Sequence, residues 1–450
     1  MINKIKSALF ILLVIISAFS CFACNSGDEN TESGKDKKYE TVNLNVYNWG
    51  EYISDGSLGS LDTNKAFEEY FNENLADEYG FYVEVIYSTY ATNEDMYSKI
   101  TSGAGTYDVI VPSDYMIEKL IPANPDNGWL GLEPFDASTL SNYENIDEGF
   151  RNPYYDPEDL YSVPYTYGMI GVIYNTALVD PEDYENESWS LLWNEKYKGK
   201  ILQFNNPRDA FGSAMYYLGL DINSTDKEVW NKALTKLSEQ KPLVQGYVND
   251  EIFNKMTTAS AAIAPYFAGD FITMADQNED LAFYYPKEGA NYFVDAMCIP
   301  KNSKNKEVAK EYINFMLSEE PAVANALYVG YASPNKVVYE SEYYAEEMGE
   351  DAIEILYSVS PDVINEKYNE MYGTACYKSF SPEIQAHVNM LWESLKTENA
   401  TEPWVHITCG IIVAGVLSLA IYTVYIKKQR SRDYRLRDKE LAKARKAKSQ

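Results

Sequence analysis

Histidine is almost absent from this chain, and its scarcity excludes several common kinds of active site. Only two histidines occur in 450 residues, His387 and His406. A serine–histidine–aspartate triad or a histidine-rich metal centre needs more of this residue. The nucleophile, P-loop and dinucleotide glycine motifs are also missing. We therefore expect no catalytic residues, no metal and no cofactor, although so acidic a composition leaves a glycosidase-type carboxylate pair open.

Cysteine is scarce as well and supplies no disulfide framework. Of the five cysteines, Cys21 and Cys24 lie near the N-terminus and Cys409 lies in an apolar run, which leaves Cys298 and Cys376. A bridge between these two is conceivable in an oxidising compartment. We expect two buried free thiols instead, so stability must come from the hydrophobic core.

Basic residues are few outside the two ends of the chain. The net charge is −30, but residues 1–24 contribute +2 and residues 427–450 contribute +8, so residues 25–426 carry −40. A domain this acidic repels nucleic acid and concentrates cations near its surface. Solubility alone would also explain the charge.

The N-terminus has the features of an export signal. Lys4 and Lys6 precede the apolar run 8–18, and Cys24 follows Phe-Ala and precedes Asn-Ser-Gly. This arrangement is similar to a lipoprotein signal with Cys24 lipidated; Cys21 is the alternative site, and an uncleaved anchor is the alternative interpretation. We assign residues 1–24 to the signal and 25–39 to a flexible polar stalk.

The C-terminal region has the features of a membrane span. Residues 404–426 contain no Asp, Glu, Lys or Arg, and at about 1.5 Å per residue they are long enough for a hydrocarbon core of about 30 Å. The basic tail 427–450 follows directly, so the positive-inside rule places it in the cytoplasm. The same rule places residues 25–403 on the extracytoplasmic face of the cell membrane.

Strand-like and helix-like segments alternate in the first part of the exported region. Residues 42–47, 83–87 and 109–112 are typical of strands, and residues 62–73 and 92–102 are typical of helices. Alternation of this kind predicts an α/β fold with a mostly parallel sheet, which binds ligands at the carboxyl ends of its strands.

Two of these strand ends carry aromatic rings beside carboxylates. They have the sequences Asn-Trp-Gly-Glu-Tyr at 48–52 and Pro-Ser-Asp-Tyr at 112–115. An alkylammonium group needs both components, because ring faces provide cation–π contact and carboxylates compensate the desolvated charge. The pattern therefore favours a small organic cation as ligand.

An ordered set of motifs resembles the spermidine/putrescine-binding proteins of ABC importers over about residues 42–335. The motifs are Tyr-Asn-Trp-Gly-Glu-Tyr (47–52), Tyr-Ser-Thr-Tyr (87–90), Asn-Glu-Asp-Met-Tyr (93–97), Tyr-Asp-Val-Ile-Val-Pro-Ser (107–113), Val-Pro-Tyr (163–165), Trp-Ser-Leu-Leu-Trp (189–193), Tyr-Lys-Gly (197–199), Tyr-Pro-Lys-Glu-Gly (285–289), Asp295 before Ile-Pro (299–300), Lys-Asn-Lys-Glu (304–307) and Gly-Tyr-Ala-Ser-Pro-Asn (330–335). Each motif is weak alone, but the ordered set is specific.

The resemblance implies a two-lobed, periplasmic-binding-protein-like clamp of type II that closes around its ligand. It implies that lobe 1 comprises residues 40–164 and 294–337 and that lobe 2 comprises residues 165–293 and 338–398. The partners it implies are a polyamine ligand and separately encoded permease and ATPase subunits. The protein would be a binding subunit and not an enzyme.

The resemblance also implies a set of cleft residues. Carboxylates that would hold ammonium groups are Glu51, Asp209 and Asp295, and rings that would flank the ligand are Trp49, Tyr52, Tyr115 and Tyr331, with Ser113 beside them. Three positions depart from the family pattern: Asn206 stands where a carboxylate is usual, and Tyr266 and Phe293 stand where tryptophans are usual. These departures leave open a diamine, another cation or another small solute, and a cell-surface hydrolase is a further alternative.

Overall fold

A computed structural model gives the fold and describes residues 38–359, residues 376–397 and the single residue Tyr422. The predicted signal with Cys21 and Cys24 lies outside the described residues, and so do the membrane span 404–426 and the basic tail, apart from Tyr422. Within the part that is described, no helix is both long and apolar enough to cross a membrane.

Strands and helices alternate along most of the described chain. The strands are β1 (Thr41–Trp49), β2 (Tyr82–Tyr90), β3 (Val109–Ile110), β4 (Ser162–Asn175), β5 (Ile201–Phe204), β6 (Val244–Val248), β7 (Ile263–Phe267), β8 (Leu281–Tyr284) and β9 (Tyr292–Cys298). The helices are α1 (Thr63–Asn74), α2 (Ala76–Tyr79), α3 (Asn93–Thr101), α4 (Asp114–Leu120), α5 (Pro181–Tyr184), α6 (Pro207–Tyr217), α7 (Lys227–Gln240), α8 (Glu251–Thr257), α9 (Ala268–Ala275), α10 (Lys306–Met316), α11 (Glu319–Val329), α12 (Lys336–Tyr339), α13 (Glu342–Met348), α14 (Glu350–Tyr357) and α15 (Pro382–Thr397).

The predicted elements of the first part of the chain are confirmed. Strands expected at 42–47, 83–87 and 109–112 correspond to β1, β2 and β3, and the helices expected at 62–73 and 92–102 correspond to α1 and α3. Helix α3 begins after a side-chain cap, since the Thr92 hydroxyl accepts the Asp95 N–H at 3.1 Å.

By internal contacts the chain divides into two units. The small unit contains described residues 38–43 and 65–85, and the large unit contains residues 44–64 and the described residues from 86 onward. In the small unit, the ring of Phe71 lies 5.1 Å from Tyr79 and 5.9 Å from Phe81. The Asn72 side chain forms two hydrogen bonds with the Val83 backbone. It accepts the Val83 N–H at 2.7 Å and donates to the Val83 carbonyl at 3.0 Å.

Nine strands of the described chain form a sheet in the order β2-β1-β3-β9-β4-β7-β5-β6, with β8 also paired to β4. Strand β3 is parallel to β1, and β5 is parallel to both β6 and β7. Strands β4 and β9 run antiparallel to each other and to their outer neighbours. The expectation of a mostly parallel sheet is therefore wrong, because two antiparallel strands join its two parallel sections.

Strand β4 is the element that connects these two sections. Residues 162–169 pair with β9, and residues 170–175 pair with β7 and β8. Thirteen of its fourteen residues are buried, as expected for a strand that is covered on both faces. Together with β9, this strand positions residues from both halves of the sheet around one cleft.

Cys298 and Cys376 are both free thiols, as the sequence predicts. The predicted burial is confirmed for Cys298, which is fully buried on β9, and is wrong for Cys376, which is partly exposed. No bond between them contributes to stability.

Candidate functional site

One cleft of about 1310 Å³ lies in the large unit, at the carboxyl ends of β1, β3, β5 and β7 and against β9. All eleven residues that the sequence indicates line this cleft: Trp49, Glu51, Tyr52, Ser113, Tyr115, Asn206, Asp209, Tyr266, Phe293, Asp295 and Tyr331. The structure thus brings together side chains that are up to 282 positions apart in the sequence.

The segment after β1 supplies an aromatic wall and a rim carboxylate. The indole N–H of Trp49 donates to the Val111 carbonyl at 3.0 Å, which fixes the ring at the cleft. Glu51 is exposed and has a left-handed backbone with φ of 52°, which costs a non-glycine residue on the order of 1 kcal/mol. Its carboxylate accepts the Tyr328 hydroxyl at 3.2 Å. The strained backbone holds this carboxylate at the rim.

Asp295 is the most enclosed of the predicted carboxylates, with only 3% of its surface exposed. Its Oδ2 accepts the Tyr52 hydroxyl at 2.7 Å, and that hydroxyl also lies 2.7 Å from Thr166 Oγ1. Among the described residues, Oδ1 has no hydrogen-bond partner. Burying a carboxylate oxygen without a hydrogen-bond partner costs free energy of folding. Such an oxygen is well placed to accept a hydrogen bond from a bound ammonium group.

Asp209 and Asn206 form a local pair at the start of α6. The Asn206 side chain caps the helix, accepting the Asp209 N–H at 2.9 Å, and donates its own amide to Asp209 Oδ2 at 2.8 Å. Asp209 Oδ1 accepts the Tyr377 hydroxyl at 3.1 Å. Both oxygens of this carboxylate are thus already engaged by the protein.

Four further rings continue the aromatic wall from Tyr52, whose ring lies 5.6 Å from that of Tyr331. The Phe293 ring lies 6.0 Å from Tyr331 and 5.5 Å from Phe267, which in turn lies 5.1 Å from Tyr266. The centroid distances and the steep interplanar angles are typical of edge-to-face aromatic contacts. The wall offers ring faces to methylene groups and cations.

Tyr115 and Ser113 are held by the neighbouring helix α3. The Tyr115 hydroxyl donates to Glu94 at 3.1 Å, and Ser113 Oγ accepts the Asn93 amide at 3.0 Å. Ser113 also pairs through its backbone with Asp295. These contacts fix the two residues beside the buried carboxylate.

Several cleft residues were not identified from the sequence. Among them are Asp114, Arg208, Phe267, Asp270, Asn291 and Tyr377. Asp114 lies inside the segment Pro-Ser-Asp-Tyr at 112–115, so the carboxylate beside a ring could have indicated it, whereas Asp270 lies in none of the motifs. Tyr377 comes after the last recognisable motif, and no local signal indicates it.

Burial raises the pKa of every enclosed carboxyl in the cleft. The pKa of Asp114 is raised to about 8, that of Asp270 to about 7 and that of Asp295 to about 6, in each case chiefly by desolvation. The pKa of Asp209 is raised for the same reason. A bound cation would counter this desolvation and favour the ionised forms.

In the described part of the chain, none of these four carboxyls forms an ion pair, although the charge of the cleft residue Arg208 lowers the pKa of its neighbour Asp209. The ion pairs there lie elsewhere, and no Lys or Arg nitrogen approaches these carboxyls within 4.0 Å. Nor do the described residues contain a metal-binding cluster of His, Cys, Asp or Glu. Arg208 offsets part of the negative charge at Asp209, whereas the charge of Asp270 and Asp295 is left for a ligand to compensate.

These pKa shifts predict that the ligand-free protein loses stability as the pH rises. Between about pH 4 and the raised pKa of each group, the native state keeps protons that the unfolded chain has released. Stability therefore falls across that window by about 1.4 kcal/mol per pH unit for each such group. Urea denaturation should show the free energy of unfolding decreasing from about pH 5 to about pH 8.

Two internal comparisons sharpen this test. Asp77 and Asp183 have a lowered pKa, so they change the free energy of unfolding only at a pH more acidic than this range. Asp114→Asn removes one carboxyl whose pKa is raised, so the free energy of unfolding of this variant should depend less on pH. A free energy of unfolding that stays constant or increases from about pH 5 to about pH 8 would contradict the burial of ionisable carboxyls in the cleft.

The chain matches the family model of bacterial extracellular solute-binding proteins over residues 65–349. It is 32% identical over 293 residues to the spermidine/putrescine-binding periplasmic protein of Escherichia coli, an alignment that covers 65% of this chain and 77% of that protein. The resemblance predicted from the sequence motifs is thereby confirmed.

Solved structures show the same similarity. A candidate spermidine/putrescine ABC transporter protein of Listeria monocytogenes aligns with a TM-score of 0.64 and 32% identity over 79% of this chain and 99% of its own. The spermidine/putrescine substrate-binding protein of Streptococcus pneumoniae, solved with calcium and HEPES, aligns with a TM-score of 0.61 and 32% identity, covering 79% of this chain and 98% of its own. The chain belongs to the bacterial extracellular solute-binding protein family and has its mixed α/β, periplasmic-binding-protein-like fold.

Proposed function

We propose that this protein is the extracytoplasmic binding subunit of an ABC importer and that it captures a polyamine such as putrescine or spermidine in its cleft. The observation that carries the proposal is the buried Asp295 carboxylate, which has an oxygen without a partner, lacks a basic partner among the described residues and lies beneath aromatic rings. The related binding proteins for spermidine and putrescine support the same ligand class.

The chemistry of the cleft favours an alkylammonium over other small solutes. Asp209, Asp270 and Asp295 would repel an anion once ionised, and Asp114, whose pKa is raised to about 8, would add its charge only at higher pH. A neutral sugar would leave their negative charge uncompensated, whereas an ammonium both neutralises it and donates up to three hydrogen bonds. The ring wall contributes cation–π contact and covers the methylene chain.

Isothermal titration calorimetry of the purified full chain tests this proposal. Putrescine, spermidine, a monoamine and a neutral sugar are titrated in turn, at about pH 8 so that the cleft carboxyls can ionise. We expect binding of the polyamines and no heat from the sugar. Absence of heat with every amine would overturn the proposal.

A binding protein of the same fold for another solute is the second candidate. Asn206, Tyr266 and Phe293 favour it, since each departs from the pattern that the polyamine-binding relatives suggest. A titration in which another small solute binds and the amines do not would establish it. A cell-surface hydrolase has less support, because His387, the one histidine in the described region, does not line the cleft.

The proposed clamp closes by a hinge in β4 and β9. Its lobes would be residues 40–164 with 294–337 and residues 165–293 with 338–398. Strands that pass between two lobes can absorb the backbone rotation of closure, and closure would present the form that engages the permease. Small-angle X-ray scattering should record a smaller radius of gyration on addition of putrescine, and an unchanged radius would count against closure.

We further propose that the protein is held at the cell membrane by lipidation of Cys24, or alternatively Cys21, and by a helix at residues 404–426. The tail 427–450 would be cytoplasmic, and the permease and ATPase would be separate chains, because a single helix cannot form a translocation pathway. Mass spectrometry of the mature N-terminus tests the lipidated cysteine. A cytosolic, unprocessed chain would contradict this arrangement.

A further inference from the structure

Strand β4 contains a β-bulge directly beside the buried Asp295. The register of β4 against β9 shifts between Pro164 and Thr166, which leaves Tyr165 as the extra residue. A bulge of this kind re-aims the side chains next to it. Here it makes Thr166 the direct cross-strand partner of Asp295, on the same face of the sheet. Thr166 is 4% exposed and is not one of the residues that line the cleft.

Three side chains form a small hydrogen-bond network at this bulge. The Tyr52 hydroxyl lies 2.7 Å from Thr166 Oγ1 and 2.7 Å from Asp295 Oδ2. A tyrosine hydroxyl has one hydrogen, and an ionised carboxylate only accepts hydrogen bonds. When Asp295 is ionised, Tyr52 must therefore donate to Asp295, and Thr166 must donate to Tyr52. The direction of the network thus depends on the charge of Asp295.

Tyr52 is a neutral and well-fixed member of this network. Burial and the charge of Asp295 raise the pKa of its hydroxyl well above the ordinary value, so the proton stays on the phenol. The Tyr165 hydroxyl donates to the Tyr52 carbonyl at 2.9 Å, and the Tyr52 ring meets that of Tyr331 at 5.6 Å. Because these contacts hold the ring in place, Thr166 acts on the direction of the Tyr52 hydrogen bond and not on the position of the ring.

A small inner cavity of about 20 Å³ lies beside this network. Its polar lining consists of Thr166, Asn325, Ser333 and Asn335, each at most 6% exposed. About 10–15 Å³ is enough for one water molecule, provided that it has two to four polar partners. The inner cavity meets both conditions.

Two of these side chains have donors that suit such a water. Asn325 Oδ1 already accepts two hydrogen bonds, and its Nδ2 contacts the Met316 sulfur at 3.5 Å, which is a weak acceptor. Ser333 Oγ accepts a backbone N–H, so its own hydrogen remains to be donated. A water that accepts from Asn325 and Ser333 can donate to Thr166, whose own hydrogen is used by Tyr52.

We propose that Thr166 is a positioning residue for Asp295: it donates to the Tyr52 hydroxyl, so that Tyr52 donates to the carboxylate, and one water in the inner cavity donates to Thr166 in turn. This network favours the ionised carboxylate without touching the ligand. The inference rests on the proposed function, since it explains how the buried acid keeps the charge that an ammonium group needs. The affinity of the cleft for a cation then depends on a residue outside the cleft.

Hydrogen bonds favour the ionised form of Asp295, and burial opposes it. Burial raises the pKa of Asp295 to about 6, while its contacts with Ser113 and Tyr52 act against that rise. The charge of Asp295 reaches three titratable groups, which are Tyr52, Tyr90 on β2 and Asp114 on α4. The two phenols stay neutral, and the pKa of Asp114 is raised to about 8. Weakening the Tyr52 hydrogen bond should therefore reduce the ionised fraction of Asp295 near pH 6.

Calorimetric titration of putrescine into the full chain at pH 6 and pH 8 tests this inference. Thr166→Val keeps the shape of the side chain and removes the hydroxyl. We expect it to weaken binding about two- to sixfold at pH 6, as for the loss of one hydrogen bond. Binding at pH 8 should be almost unchanged, because Asp295 is ionised there in both proteins. Thr166→Ser keeps the hydroxyl and should bind as the wild type does. Thr176→Val is the matched control, since it removes an exposed hydroxyl directly after β4 and should have no effect.

The outcomes separate this inference from the proposed function. No binding of any amine to the wild type would overturn the proposed function itself. Equal affinity of the wild type and Thr166→Val at pH 6 would overturn the inference alone, and so would an equal loss at pH 6 and pH 8. If Thr166→Val does not fold, Thr166→Ala carries the same expectation.

Two measurements without a ligand complete the test. A high-resolution crystal structure of the protein should show one water within about 3.2 Å of Thr166 Oγ1, Asn325 Nδ2 and Ser333 Oγ. Urea denaturation should show the loss of unfolding free energy continuing to higher pH in Thr166→Val than in Thr166→Ser, because the native state then keeps its proton to higher pH. A dry inner cavity, or identical pH dependence of the two variants, would overturn the inference.

Discussion

Polyamine affinity is expected to fall about 10- to 150-fold when Asp295 is replaced by asparagine, a loss of about 1.5–3 kcal/mol. The asparagine can still accept the Tyr52 hydroxyl, which Asp295 accepts at 2.7 Å. It cannot offer a second charged oxygen, and its amide would turn a donor toward the ligand ammonium. Calorimetric titration of putrescine into both proteins measures the difference.

Glu51→Gln is the comparison that distinguishes a buried from an exposed carboxylate. The sequence alone assigns ammonium binding to both residues, but Glu51 is exposed at the rim and Asp295 is buried. Water and salt screen an exposed charge, so we expect Glu51→Gln to cost at most about 1 kcal/mol. Equal losses for the two variants would contradict this ranking, and unchanged affinity in Asp295→Asn would remove Asp295 from the site.

The same substitution should leave folding intact. In the empty protein Asp295 is a desolvated carboxyl whose pKa is raised to about 6, so at neutral pH its charge opposes folding. Replacing it with a neutral side chain of the same shape should keep or raise the melting temperature. A large loss of stability would mean that reduced binding reflects damage to the fold and not a lost ligand contact.

Gly269→Ala is expected to lower both stability and affinity, although alanine usually strengthens a helix by about 1 kcal/mol over glycine. Gly269 lies in the first turn of α9, and its added Cβ would collide with the Tyr331 ring. Displacing that ring breaks its hydrogen bond to Asp270 and its contact with Phe293. We expect about 1–3 kcal/mol of destabilisation, as for overpacking, and at least a tenfold loss of affinity.

Two controls identify the cause of this effect. Gly246→Ala places a Cβ where nothing lies within 4 Å, so it should change stability little. On a Tyr331→Ala background the collision is absent, and Gly269→Ala should then cost almost nothing, giving a non-additive double-mutant cycle. Additive effects in this cycle would show that the glycine is needed for some other reason.

The sequence predicted the local structure and much of the site because both depend on short patterns. Strand-like and helix-like segments are properties of neighbouring residues, and the strands β1, β2 and β3 and the helices α1 and α3 were found as expected. The segments 48–52 and 112–115 lie at the carboxyl ends of β1 and β3, and parallel neighbouring strands bring these ends to the same edge of the sheet. Their convergence on one cleft could therefore be foreseen.

What the sequence by itself determined is the class of fold and the kinds of side chain, carboxylates and rings, that the cleft residues bring. Only the tertiary structure decided which carboxylates are buried without a partner, because burial and pairing depend on distant segments. Asp295 accepts from Tyr52, 243 positions earlier, and keeps its other oxygen without a partner among the described residues, whereas Asp209 accepts from Tyr377, 168 positions later. The antiparallel pairing of β4 with β9 was also decided only by the tertiary structure, because local periodicity carries no information on strand direction.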